Sequence, residues 1–128
     1  MRKIYESTAG QASADLSAKI IAAIQDVKGQ KITLIDLSDI ESAPSSEFII
    51  CEGKSNTQVS AIADNIEEQI RKDMSRKPYN IDGQRNSQWI VIDYGTVLVH
   101  VFQPEMRNLY NLEELWGDAK ITEIPDID

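Results

Sequence analysis

Residues 89–102 constrain the fold of this chain most strongly, because they read WIVIDYGTVLVHVF, two apolar runs on either side of Tyr94-Gly95. An X-Gly pair between such runs predicts a β-hairpin with a two-residue turn, which would pair Trp89 with His100. Side chains alternate across a sheet, so one face of the hairpin is aliphatic: Ile90, Ile92, Val97, Val99 and Val101. The other face is mixed: Trp89, Val91, Asp93, Thr96, Leu98, His100 and Phe102. The aliphatic face must be covered by a second layer, whereas the mixed face suits a surface that meets something other than aliphatic core.

Other apolar patterns predict the elements that can form this second layer. In chain order they are a helix from about Ser13 to Gly29, strands at 31–37 and 48–52, a helix after a Ser55–Gln58 capping box, a short strand near 79–81, the hairpin and a last helix. This order predicts a single α/β domain with a mixed sheet of about five strands and flanking helices, the second helix serving as a crossover. We expect residues 1–12 to form a loose arm, 13–119 the domain and 120–128 a frayed acidic tail.

The last helix has more apolar surface than a core-facing helix requires. At about 100° per residue, its apolar side chains spread over roughly 220°; they are Met106, Leu109, Tyr110, Leu112, Leu115 and Trp116. Either the helix breaks midway or part of this surface binds another molecule. Glu113 falls inside the apolar arc and needs a cationic or hydrogen-bonding partner, which Arg107, His100 or a base of another protein could supply.

The charge of the chain is negative and unevenly distributed. The net charge is −8, and residues 86–128 hold eight acids and two bases, a net of −6. Direct phosphate binding normally requires clustered Lys and Arg, so we expect little or no direct nucleic-acid binding and favour a basic protein partner. Plain solubility is the alternative explanation.

The sequence contains no stretch of about 20 apolar residues and no apolar signal region, so we expect neither a membrane span nor secretion. Cys51 is the only cysteine, which excludes an intrachain disulfide and fits a reducing, cytoplasmic location.

No set of residues in the sequence matches a known catalytic or metal-binding pattern. His100 has no Ser or Cys nucleophile in local register, and Cys51 lies on a separate predicted strand, where it is expected to be buried. Asp93 lacks a neighbouring second carboxylate that would help hold a metal ion. The segment EGKSNTQ precedes a helix but lacks the P-loop pattern. We therefore predict no catalytic residues, no cofactor and no metal site.

Two segments in the last third of the chain resemble a known family. WIVIDYGTVLVHVF followed by RNLYNLEELWGDA resembles the signature of the ribosomal silencing factors, also called the Iojap family. Upstream, KITLIDL and GKSNTQVSAIADNIEEQI are similar to that family's first strand and to its Gly-x-Ser segment with the following helix. The resemblance covers roughly residues 13–119, and it departs from the family pattern at Asp82-Gly83 and at Gln88. Its specificity lies in Asp93, Gly95, Val99, His100, Arg107, Tyr110, Leu112, Glu113, Leu115, Trp116 and Ala119.

The resemblance implies a fold related to nucleotidyltransferases but without their paired catalytic acids. It further implies a translation repressor that binds the basic ribosomal protein fourteen of the large subunit and blocks joining of the two subunits when nutrients are limiting. The predicted partner-binding residues are Trp89, Asp93, Tyr94, Leu98, His100, Arg107, Tyr110, Glu113, Leu115 and Trp116.

Two alternatives remain open from the sequence. One is a nucleotidyltransferase-like phosphoryl-transfer enzyme that uses Asp36, Asp93 and the Gly53–Ser55 turn. The other is a homodimer that closes on the same mixed face. An enzyme would require the two acids to lie close together beside the turn, so the alternatives differ in the geometry that they demand.

Overall fold

The computed structural model describes the backbone of residues 2–127 and the side chains of residues 14–127. Within that range the elements are α1 (Arg2–Asp26), β1 (Gln30–Asp36), β2 (Glu47–Glu52), α2 (Asn56–Met74), β3 (Asn80–Asp82), β4 (Trp89–Asp93), β5 (Val97–Phe102), α3 (Pro104–Tyr110), α4 (Leu112–Leu115) and β6 (Lys120–Ile124). Among the described residues, no helix combines the length and the apolar character that crossing a membrane requires.

The strands form one mixed sheet in the order β3-β4-β5-β2-β1-β6. Strands β2 and β5 are parallel, and the other neighbours are antiparallel. The predicted α/β class is therefore confirmed, with six strands instead of about five. Helices α1 and α2 pack with one face of the sheet in the larger core, whereas side chains of α3 and α4 contribute to a smaller core that contains Phe48 and Phe102. The chain between the parallel strands β2 and β5 includes α2, which is the helix predicted to serve as the crossover.

Helix α2 shows how local sequence sets this architecture. Its N-cap is Ser55, whose side chain accepts a hydrogen bond from the Gln58 N–H, as the capping-box pattern predicts. In a capping box the side chain of the third helical residue also accepts a bond from the N-cap N–H. Here Gln58 Oε1 accepts instead from the N–H of Lys54, the residue before the N-cap, at 2.7 Å. The predicted apolar stripe is fully buried and consists of Val59, Ile62, Ile66 and Ile70.

The β4–β5 hairpin has the predicted faces but a different register. Tyr94 N–H donates to the Val97 carbonyl at 2.9 Å, so the central turn residues are Gly95 and Thr96, not Tyr94 and Gly95. Trp89 consequently pairs with Phe102 instead of His100. Glycine at the first central position, with a φ of 85°, fits a type II′ hairpin. Because side chains alternate with a period of two, this shift by two positions leaves both faces unchanged.

The ends of the chain are more regular than expected. The backbone of α1 is helical from Arg2 instead of from about Ser13. The side chains of residues 2–13, and residue 1, lie outside the described residues, so the predicted arm stays a prediction. The predicted frayed tail contains strand β6, which pairs antiparallel with β1. Ile124 packs against the larger core, and Asp126 Oδ1 accepts from the Lys31 N–H at 2.9 Å. Ile121 and Ile124 are three residues apart, so the segment lacks the period-two pattern of a half-buried strand.

Removing β6 tests whether the tail belongs to the fold. We expect a chain that ends at Ala119 to lose about 2–4 kcal/mol of unfolding free energy, because a ladder of hydrogen bonds and the burial of Ile124 disappear. Urea denaturation followed by circular dichroism measures the loss, and a chain that ends at Asp126 is the control. Equal stability of the two truncated chains would contradict the assigned role of β6.

Candidate docking surface

The apolar segment after the hairpin breaks at Asn111, so the first of the two sequence-based explanations for its wide apolar arc is correct. Asn111 has a left-handed backbone with a φ of 44°, and its N–H donates to the Arg107 carbonyl. The break separates α3 from α4 and lets their apolar side chains point in two directions. Met106, Leu112 and Trp116 pack on the smaller core, whereas Leu109, Tyr110 and Leu115 remain exposed.

Beneath α3 and α4 lies an aromatic layer, which consists of Phe48, Trp89, His100, Phe102, Tyr110 and Trp116. The Trp89 ring lies 4.9 Å from the Phe102 ring and 4.6 Å from the Tyr110 ring, centroid to centroid. Phe48 lies 4.6 Å from His100 and meets Trp116 edge-on at 6.0 Å. These distances are typical of favourable aromatic pairs. The mixed face of the hairpin is therefore largely a second core and not the open contact surface that the sequence suggested.

His100 is a structural member of this aromatic layer. Only 5% of the residue is exposed, and its Nδ1 accepts a hydrogen bond from Trp89 Nε1 at 3.1 Å. Burial lowers the pKa of His100 to about 4, since desolvation disfavours the charged imidazolium. A neutral ring that accepts at Nδ1 carries its proton on Nε2. The ring lies beneath the surface, so His100 supports the layer from within, and its predicted contact with a partner stays a prediction.

Arg107 is tied to the protein through all five of its N–H donors. Its Nε and Nη2 donate to Glu113 Oε1 at 2.9 and 2.6 Å. Its Nη2 also donates to Thr33 Oγ1, and its Nη1 donates to the Lys31 carbonyl and to Glu52 Oε1. The Arg107 side chain is only 11% exposed.

These bonds identify the internal cation that Glu113 needs. They also leave Arg107 without a free donor, so its predicted direct contact with a partner is replaced by a structural role. Glu113 keeps partial exposure at its edge but is held in the same network.

Three further predicted contact residues differ in position. Tyr94 is completely buried in the larger core, where burial raises the pKa of its hydroxyl to about 12. Its side chain lies on the same face as Ile90 and Ile92 and is covered there, so its predicted contact with a partner stays a prediction that no exposed atom supports. Asp93 is half-buried, and its Oδ1 accepts from the Gly95 N–H at 2.7 Å. Leu98 is half-buried and packs against the smaller core.

What remains accessible is an apolar patch over the aromatic layer. Leu109, Tyr110 and Leu115 are 73%, 48% and 68% exposed, and Ile121 of β6 is exposed at the margin of a cleft that also borders α3. We call these four residues the docking surface. Acidic side chains are exposed on the same elements and on the turn between α4 and β6: Glu105, Glu114, Asp118 and Glu123. Sequence reasoning omitted Leu109 from the contact residues although its apolar arc included it, and it missed Ile121 because the tail was expected to fray.

The residues of the phosphoryl-transfer alternative do not come together. Asp36 and Asp93 lie on β1 and β4, three strand spacings apart, which is roughly 14 Å. Asp36 Oδ1 instead accepts two bonds from Ser38, and these bonds lower the pKa of Asp36. The Gly53–Ser55 turn follows the last residue of β2. Asp36 instead pairs with Glu47, the first residue of β2, so Asp36 and the turn lie at opposite ends of that strand. This arrangement provides no common site for two carboxylates and a phosphate.

Buried Cys51 is the one free cysteine among the described residues. Burial raises the pKa of its thiol to about 12, so it is not a reactive thiolate at physiological pH. The predicted burial of Cys51 is confirmed.

Comparisons with family models, with individual proteins and with solved structures all find relatives of this chain. The family model described as "Ribosomal silencing factor during starvation" matches residues 10–128. The ribosomal silencing factor of Bacillus subtilis is 37% identical over 80% of this chain and 86% of its own length. The corresponding protein of Halalkalibacterium halodurans is 34% identical over 84% and 90%. A crystal structure of a Chromobacterium violaceum protein covers 81% of this chain and 85% of its own, with a TM-score of 0.76 at 32% identity.

Replacing Arg107 by Lys tests the network beneath the docking surface. Lysine cannot reproduce a five-donor fork, and we expect the unfolding free energy to fall by about 2–4 kcal/mol because Glu52 and Thr33 lose a buried partner. Chemical denaturation measures the change. The control is Lys19→Met at the exposed Lys19–Asp73 pair, where we expect less than about 1 kcal/mol. A similar small loss in both variants would show that the network contributes little.

The buried histidine predicts a pH dependence of stability. A histidine of the unfolded chain binds a proton as the pH falls through about 6.5, but folded His100 binds one only near pH 4. The stability that neutral His100 contributes is thus complete above pH 6.5 and is lost between that pH and about 4. We expect wild-type unfolding free energy to fall by about 1 kcal/mol more than that of His100→Gln between pH 7.5 and 5.5. Urea titrations at the two pH values check this, and parallel pH profiles would contradict it.

Proposed function

The chain belongs to the ribosomal silencing factor family, and from that premise we propose that it binds the large ribosomal subunit through ribosomal protein fourteen and blocks joining of the small subunit. The single observation that carries this proposal is the docking surface. Two leucines and a tyrosine are exposed side by side on α3 and α4, in the most acidic part of the chain. An apolar patch with an acidic rim suits a basic protein partner.

The contacts beneath the patch support a binding role. Tyr110 rests on Trp89, and Arg107 fixes α3 and α4 to β1 and β2. Side chains that are already held in place lose little conformational entropy on binding. Tyr110 is therefore suited to act as an anchor, with the exposed Leu109 and Leu115 as further apolar contacts, since a few well-placed apolar and aromatic residues supply most of the energy of an interface.

The acidic residues contribute to the rate and orientation of binding more than to the final affinity. Glu105, Glu114, Asp118 and Glu123 surround the patch at exposed positions, where charges are screened by salt over about 8 Å. Such charges guide a basic partner into position and disfavour acidic competitors. Of the half-buried contact residues predicted from the sequence, Trp89, Leu98 and Trp116 shape the patch from below, and Asp93 holds the hairpin turn.

The mechanism requires occupancy and no chemistry. A small domain bound to the intersubunit face of the large subunit occupies space that the small subunit needs, and translation falls in the cytoplasm when nutrients are limiting. This proposal is consistent with the separation of Asp36, Asp93 and the Gly53–Ser55 turn, because no step depends on them. It assigns α3 and α4 the role of the contacting elements and the sheet the role of a rigid support.

Two truncations of exposed side chains test the docking surface. We expect Tyr110→Ala and Leu115→Ala each to weaken binding to isolated ribosomal protein fourteen by at least about 30-fold, as for a central anchor. Titration calorimetry measures the affinity, and sedimentation of mixed subunits measures whether joining is still blocked. The matched control for the calorimetry with isolated protein fourteen is Tyr79→Ala, since Tyr79 is even more exposed but lies beside β3.

The stability of each variant must be measured by denaturation, because Tyr110 also contacts Trp89. If Tyr110→Ala and Leu115→Ala bind protein fourteen as tightly as the Tyr79→Ala control, the docking surface lies elsewhere on the protein.

A further inference from the structure

A second charged surface, of positive sign, lies at the end of α2 and beside the edge strand β3. Residues 71–79 read RKDMSRKPY, and we call Arg71, Lys72, Arg76, Lys77 and Tyr79 the basic patch. The one acid within this segment, Asp73, is already 3.4 Å from Lys19. Among the side chains described, none of the four bases takes part in an ion pair. The patch therefore presents four bases without a close acidic partner on a protein whose net charge is −8.

Part of this segment is held firmly against the β4–β5 turn. Arg76 Nη2 donates to the Tyr94 carbonyl at 3.0 Å, and the Tyr79 N–H donates to the Asp93 carbonyl at 2.7 Å. The Tyr79 ring covers Gly95, where an added Cβ would come within 2.9 Å of it. Tyr79 nevertheless remains 77% exposed. The fold thus positions a largely open aromatic ring next to Lys77, although little of that ring is buried in the protein.

The dipole of α2 explains the positions of only two of the four bases. Arg71 and Lys72 lie in the last turn of α2, where positive charge is favourable near the negative end of the helix dipole. Arg76 and Lys77 lie beyond the end of the helix at Met74, so this explanation does not reach them. The acids Asp64, Glu67 and Glu68 border the same cleft as Arg71, Arg76 and Lys77, so they offset part of the positive charge inside it. Lys72 and Tyr79 are not among the residues that line this cleft.

From these observations we propose that the basic patch binds RNA of the large ribosomal subunit, with the bases on phosphates and Tyr79 stacked on an unpaired base. Clustered bases beside an open aromatic ring are the features with which proteins hold single-stranded RNA. The inference rests on the proposed ribosome binding and adds a second contact to it. It also revises the expectation, drawn from net charge, of little direct nucleic-acid binding.

The docking surface can prefer a basic ligand and the basic patch an acidic one because the two surfaces lie apart. Tyr110 of the docking surface contacts Trp89, the first residue of β4, whereas the Tyr79 N–H of the basic patch donates to Asp93, its last residue. These two residues of β4 lie four positions or roughly 13 Å apart along the strand. Charges are screened over about 8 Å at physiological ionic strength. The acids around α4 and β6 consequently have little influence on a phosphate at the basic patch.

The test uses the full-length protein and a fluorescein-labelled oligouridylate of 20 nucleotides, with binding followed by anisotropy across a salt series. We expect Tyr79→Ala to weaken binding at least about fivefold. We expect Lys77→Glu to weaken it and to reduce the slope of log affinity against log salt by about one. The controls are Lys54→Glu, the same charge change before the other end of α2, and Tyr110→Ala on the docking surface. Both controls should bind the RNA as the wild type does.

A second arm separates this inference from the proposed function. Binding of Tyr79→Ala and Lys77→Glu to isolated ribosomal protein fourteen should equal that of the wild type, while their binding to whole large subunits should be weaker. Equal oligouridylate affinity of Lys77→Glu and Lys54→Glu, or no wild-type binding at low salt, would overturn the RNA contact whatever protein fourteen does. Loss of wild-type binding to protein fourteen with retained RNA binding would instead overturn the proposed function alone.

Discussion

The docking side of this protein depends on one buried guanidinium. Arg107 connects α3 with α4 through Glu113 and with the sheet through Thr33 and Glu52. Helices of seven and four residues are too short to be stable by themselves in water. Their positions must therefore come from tertiary contacts, and a planar five-donor group can fix several elements at once. Without it, the cover over the aromatic layer would have only apolar contacts, which are less directional than hydrogen bonds.

This arrangement explains why a mixed strand face is compatible with burial. Trp89 donates to His100, and the imidazole remains neutral, so the layer contains an internal hydrogen bond and no buried charge. Trp89 Nε1 and His100 Nδ1 thus satisfy each other, whereas the buried His100 Nε2 has no hydrogen-bond partner among the described residues. The exposed apolar side chains of this region are Leu109 and Leu115. The consequence is a contact patch on a rigid base, which suits a protein that acts by occupying a site.

Sequence reasoning predicted those parts of the fold that local physics determines. The cap at Ser55, the stripe from Val59 to Ile70 and the two faces of the hairpin follow from hydrogen-bonding chemistry and from periods of 3.6 and 2. It could not assign β6, because its register comes from pairing with β1, a contact between distant parts of the chain. It also placed Tyr94 and His100 on the surface, since a strand pattern tells which side chains share a face but not what covers that face. Only the Asn111 break, itself a local event, determines how α3 and α4 cover it.

The two charged surfaces impose a geometric condition on any complex. A rigid sheet with an apolar patch near one end of β4 and bases near the other end can satisfy both only where basic protein and RNA lie at a fixed separation of roughly 13 Å or more. Large ribonucleoprotein surfaces offer such pairs, whereas an isolated basic protein or a bare RNA offers only one. Occupying both sites together links two contacts through a single rigid body, which raises the effective concentration of the second contact once the first has formed. A domain of this size can then be selective for the assembled particle although each surface is small.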